Sequence, residues 1–154
     1  MSPDQTTLAR KSLDRRLIGL PRDALLIPPH GWVKAVREAL GMSAQKLADR
    51  LGVKRPRIAA IEKAEKTGAT TLKTLRQAAE AMDCVLVYAI VPRTSLDQIV
   101  RDQAAKKADT ELSRLHHTMR LENQALGKAD LADERQRLVR EILAGSSRRL
   151  WDDA

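Results

Sequence analysis

Apolar residues recur at intervals of three and four along most of the chain, the spacing of helices with one buried face. From Trp32 the series Val33, Val36 and Leu40 predicts a helix that stops at Gly41. Ser43 is placed to cap a second helix carrying Leu47, Ala48 and Leu51, which Gly52 ends. Val53, Ile58 and Ile61 mark a third helix one tight turn later, and Thr71 opens a fourth with Leu72, Leu75, Ala79 and Met82 on its apolar stripe. Ahead of these, residues 5–17 set Leu8, Leu13 and Leu17 among Arg10, Lys11, Arg15 and Arg16, a short basic amphipathic helix. Pro21, Pro28, Pro29 and Gly31 then break the pattern into a linker or wrapped arm.

Past the fourth helix the period changes. Cys84 to Val91 is apolar, β-branched and closed by Pro92, so it reads as a strand, with a buried helix end as the alternative. A single strand leaves its backbone donors and acceptors unpaired, and no second convincing strand follows. The economical solution is pairing with the same strand of another subunit across a two-fold axis, which puts Val85, Val87 and Ala89 at the contact of a homodimer. From Leu96 helical spacing returns through Ile99, Val100, Ala104, Ala108, Leu112, Leu115 and Met119. A last helix starts near Asp130 with Leu131, Leu138, Ile142 and Leu143 on its buried side. The expected fold is mainly α, with one dimerising β-strand and a C-terminal helical extension. Its expected division is an N-terminal helix and arm (1–30), a helical domain plus strand (31–93) and a partner-binding helical region (94–154).

Charge sharpens this division. Residues 1–93 hold 17 basic and 9 acidic residues, whereas residues 94–154 hold 11 of each, so the whole excess of +8 lies in the first part. That asymmetry suggests a polyanion-binding head and a tail with another partner. Two Trp, one Tyr and no Phe are too few for the stacking platforms that hold single strands, which favours a duplex. One Cys excludes an internal disulfide framework and fits a reducing compartment. With no secretory apolar region and no apolar run long enough for a bilayer, the expectation is a cytoplasmic, nucleoid-associated protein that avoids membranes.

The segment Ser43 to Lys63 carries the strongest spacing signal. Ala48 is small enough for two helices to cross closely, Gly52 supplies a left-handed turn, and Ile58 and Ile61 seat the second helix on the first. WVKAVREALGMSAQKLADRLGVKRPRIAAIEKAE followed by TLKTLRQAAEAM resembles a Cro/C1-type, or Xre-type, helix-turn-helix domain over about residues 31–83. The wider layout is similar to the family called mobile mystery protein A: RRLIGLP, then HGWVKAVREALGMS, CVLVYAIVP, HTMRLENQAL and finally RRLWDD. That resemblance implies an operator-binding repressor of its own operon, paired with a Fic-domain toxin.

Carried over residue by residue, the resemblance makes the helix from about Lys54 to Glu65 the reading helix. Arg55, Pro56, Ala60 and Lys63 would face the groove, Arg55 bidentate to guanine and Ala60 against a thymine methyl. Lys54, Arg57 and Lys63 would neutralise phosphates. The family's usual Gln opening the preceding helix is here Ala44, with Gln45 beside it, while Lys46 stands where a capping-box Glu is common and Lys54 replaces a Ser or Thr cap. Basic residues at helix N-termini oppose the macrodipole, which points to phosphate as their partner. The expected DNA-binding set is thus Ser43, Gln45, Lys46, Lys54, Arg55, Pro56, Arg57, Ala60 and Lys63.

A second constellation lies in the tail. Thr118-Met119-Arg120-Leu121-Glu122-Asn123 matches the Ser/Thr-x-x-x-Glu-Gly/Asn pattern of helices that inhibit Fic-domain adenylyltransferases. Glu122 also follows Leu115 and Met119 on a stripe where periodicity expects a hydrophobe, and an acid there needs a cationic partner. The resemblance implies that Glu122 pairs with the Fic arginine that otherwise orients the ATP γ-phosphate, with Thr118 hydrogen-bonding nearby and Asn123 shaping the helix end. The rival reading is a stand-alone Xre-type repressor whose C-terminal helices only dimerise; a third is an inhibitor that contacts proteins alone.

The chain shows no glycine-rich phosphate loop or Ser-His-Asp set, so an enzyme is not expected. Adjacent His116 and His117 point about 100° apart on a helix, and no metal or cofactor is expected. Trp32 reads as a core anchor, and Trp151 as a docking anchor or a folded-back contact.

Overall fold

The structure is a computed structural model, describing residues 2–121 and 127–152. Its helices are α1 (Pro3–Leu17), α2 (Trp32–Ala39), α3 (Ala44–Leu51), α4 (Arg55–Thr67), α5 (Leu72–Ala81), α6 (Leu96–Leu121), α7 (Lys128–Ala144) and α8 (Ser147–Trp151), with one 3-10 turn at Asp23–Leu25. They form two compact units, one of Pro21–Ile90 and the other of Met1–Leu20 with Val91–Ala154.

In the first unit the local signals act where the sequence places them. Ser43 Oγ accepts from Lys46 N at 3.1 Å and Thr71 Oγ1 from Thr74 N at 3.1 Å, each satisfying an N–H that its helix leaves unpaired. Gly52 closes α3 in the left-handed region (φ 67°), so that Val53 N reaches back to Ala48 O and α4 begins after a tight turn. Leu47, Ala48, Ile58 and Ala78 are fully buried, with Val33, Ile61 and Met82 around them. Ala48 has no side chain beyond Cβ, which lets α3 and α4 approach closely. Trp32 is 42% exposed, so it is not the core anchor expected; Val33 takes that place one residue later.

Asp83 occupies the left-handed position (φ 59°) that glycine fills at Gly41, Gly52 and Gly68. Its N–H bonds to Glu80 O and that of Cys84 to Ala79 O, which stops α5. The expected strand after it is corrected: no β-ladder exists among the described residues, and 84–91 runs without regular structure. β-Propensity acts through a neighbouring strand, and the described residues supply none. Val85 and Ile90 stand 84% and 90% exposed, which also removes the alternative of a buried helix end.

The other unit joins the two ends of the chain. α7 runs back along α6, with Asp109 accepting from Arg135 Nε at 2.6 Å, and Ala104, Ala108 and Leu112 of α6 are buried. α8 returns to the same helix: Leu150 is buried and its carbonyl accepts from Gln103 Nε2 at 3.2 Å, while Trp151 remains exposed. Of the expected α7 stripe, Leu131, Leu138 and Ile142 are half-buried and Leu143 is exposed.

α1 packs on α6 as part of this unit, rather than forming an arm of the other. Polar groups make the join. The Asp14 carboxylate accepts from Leu96 N at 2.7 Å and Asp97 N at 3.1 Å, capping α6, and Arg10 Nε lies 3.4 Å from Asp97. Arg101, and then Arg10, hold the Asp97 carboxyl below the usual range. The excess charge divides accordingly: Pro21–Ile90 carries 12 basic and 7 acidic residues, a net +5, and α1 and Arg93 belong to the other unit.

Candidate nucleic-acid interface

α4 is amphipathic in an unusual sense, because its inner stripe ends in a carboxylate. Ile58, Ile61 and Glu65 are buried at spacings of three and four. Glu65 Oε1 accepts from Trp32 N at 2.8 Å and Oε2 from Val33 N at 3.0 Å, so the carboxylate caps the first turn of α2. Gly31 makes room for it: at φ 84° a Cβ there would stand 2.8 Å from Glu65 Oε2. About one turn earlier Glu62 takes Arg37 Nε at 2.7 Å, while Arg37 Nη1 donates to Met42 O at 3.0 Å. The hydrogen bond to Glu62 raises the Arg37 pKa above its ordinary value. These two carboxylates fix α4 to α2 and to the turn before α3, and the sequence reading singled out neither.

With both acids turned inward, what α4 shows to solvent is cationic. At about 100° per residue, Pro56, Ala59, Ala60 and Lys63 lie opposite the buried stripe, with Arg55 and Lys66 flanking on one side and Arg57 on the other. All seven are exposed. Ala59 shares the face that the sequence reading gave to Arg55, Pro56, Ala60 and Lys63, and helical period alone places it there. Lys54 starts the helix with no side-chain capping bond. Ser43 is engaged in capping α3, Gln45 Nε2 donates to Asp49 Oδ1 at 2.8 Å, and Lys46 is exposed. Beside Arg57 and Ala60, a recess of about 140 Å³ is lined by Ala64, Thr70, Thr71 and Thr74.

This is a short helix, a left-handed glycine turn and a second helix locked from behind, with small and basic side chains outward. The helix-turn-helix family model matches residues 33–88. The chain contains an Xre-type helix-turn-helix domain. Such a domain is the DNA-binding module of transcription regulators, and α4 is the second helix of its pair. No curated protein and no solved structure matches the chain. Outside the helix-turn-helix domain, Thr118 lies exposed near the end of α6, its Oγ1 donating to Arg114 O at 3.0 Å; Glu122 and Asn123 fall outside the described residues. No helix among the described residues is long and apolar enough to cross a membrane, and none of their His, Cys, Asp and Glu side chains cluster to hold a metal ion.

Proposed function

We propose that the chain represses transcription by reading a duplex operator through α4. The observation that carries this reading is the inward turn of Glu62 and Glu65, which leaves Arg55, Arg57, Lys63 and Lys66 as the charged groups on the solvent face. Arg55 reads a guanine, Ala60 meets a thymine methyl, and Lys54, Arg57 and Lys63, with Ser43, Gln45 and Lys46 at the start of α3, position the phosphates. Arg55→Ala is expected to cost about 1–3 kcal/mol on the cognate site and to relax its sequence preference. A fluorescence-anisotropy titration with unchanged operator affinity would exclude this reading face.

The regulator acts as a homodimer through residues 85–90. Support comes from their exposed Val85, Val87 and Ile90. Two such segments meeting across a two-fold axis cover each other's apolar side chains. Sedimentation at micromolar concentration is expected to give a dimer, and Val87→Asp, which sets an unpaired charge in each half of the contact, a monomer. A monomeric wild type would refute it.

The tail is the second arm of the proposal: it inhibits a Fic-type adenylyltransferase, making the chain an antitoxin. The motif TMRLEN and the exposed Leu115, Thr118 and Leu121 at the end of α6 support it. Glu122→Gly is expected to keep complex formation and operator binding while releasing nucleotide transfer by the partner. Undiminished inhibition would show that other contacts block the enzyme, and failure to capture any Fic enzyme would leave the stand-alone repressor.

A further inference from the structure

α1 is the basic motif that neither the reading helix nor the tail absorbs. Its inner side is fixed by Arg10 and Asp14, which engage the start of α6. On a helix of 3.6 residues per turn, Lys11, Arg15 and Arg16 span an arc of about 140° on the other side. All three are exposed, and among the described residues no carboxylate pairs with them, whereas Arg10 on the inner side is held by Asp97. The one acid on the outward arc is Asp4, in the first turn of α1.

We propose that this face of α1 is a second duplex-binding surface, one that contacts phosphates without reading bases. The inference rests on the proposal that α4 binds DNA. Three unpaired cations on one rigid helix, with rises of about 6 Å between Lys11 and Arg15, suit a line of phosphates. They lie outside the helix-turn-helix pair that presents side chains to base edges, so phosphates are the groups left for them to contact. An anionic membrane is the other polyanion of this size, but the apolar residues do not serve it. Leu8, Leu13 and Ile18 follow one another at five-residue steps, about 140° apart, so they scatter around the helix instead of forming the stripe that enters a lipid interface. Because the surface is covalently joined to the reading domain, its engagement on a bound duplex is intramolecular, and a weak contact then adds measurably to the whole.

The test uses the full chain and its Lys11→Gln/Arg15→Gln/Arg16→Gln variant, with circular dichroism to verify that helix content is kept. Affinity for a random-sequence 30-base-pair duplex is measured by anisotropy between about 50 and 200 mM salt. The slope of log affinity against log salt is expected to become shallower by roughly 2 to 3 in the variant, near 0.9 for each phosphate that is no longer neutralised. Operator sequence preference is expected to stay as in wild type, since Arg55 is untouched. An unchanged slope overturns the proposal, while a loss of affinity in Arg55→Ala measured alongside shows that the α4 reading survives it. A wild type with no duplex affinity overturns both. Wild-type binding to phosphatidylserine vesicles that the triple variant loses, with the DNA slope unchanged, assigns the face to membranes instead.

Discussion

Glu65→Ala is expected to lower the stability of the helix-turn-helix unit by roughly 2–4 kcal/mol, because it strands two N–H groups at the start of α2, one of them fully buried. It also removes the negative charge that sits on the helix N-terminus. The loss appears in the denaturant midpoint followed by Trp32 fluorescence, in a Trp151→Phe background that leaves a single reporter. Glu65→Gln keeps one acceptor and sets an amide donor against the second N–H, so it falls between alanine and wild type. Operator affinity drops in the same order, since α4 loses its attachment to α2. A midpoint for the alanine variant within a few tenths of a kcal/mol of wild type would remove the lock from the account.

Gly31→Ala strains the same lock from the opposite side. Its φ of 84° with ψ of 162° lies in a region that side chains avoid, and the added Cβ meets Glu65 Oε2 at 2.8 Å. The backbone conformation alone costs on the order of 1–3 kcal/mol. Displacing the carboxylate adds to that, so a loss comparable to Glu65→Ala is expected. The two effects are not additive: with Glu65 already alanine the clash is gone and only the backbone cost remains. The double mutant is therefore more stable than the sum of the singles predicts, by roughly 1 kcal/mol or more. Strict additivity would mean that Gly31 is there for its backbone alone.

Much of the reading domain was legible because its signals are local. Ser43 and Thr71 cap the helices they precede, Gly52 makes the turn, and the Leu47, Ala48, Ile58 and Ile61 pattern names the core before any coordinates do. Glu65 was legible too, by the argument applied to Glu122: a carboxylate at a position where the stripe expects a hydrophobe. It differs in that its partners, Trp32 N and Val33 N, are backbone groups more than 30 residues away, and a sequence names side chains, not orphaned amides. The strand failed because a run of β-formers specifies a conformation and leaves the partner unspecified. The place of α1 was hidden for a related reason. No residue of that helix is buried, and its join to α6 is made by one aspartate and one arginine, which look like ordinary surface charges until Leu96 and Asp97 are beside them.

That join makes linear order a poor guide to damage. Residues 1–20 precede the reading domain in the chain, yet they hold the first turn of α6 through Asp14. A shortened product initiated downstream of them keeps every residue of the Pro21–Ile90 unit and loses the cap on a helix some eighty positions later. In a genetic screen, substitutions within residues 1–20 would therefore group by phenotype with those beyond residue 91, and those within 21–90 would stand apart.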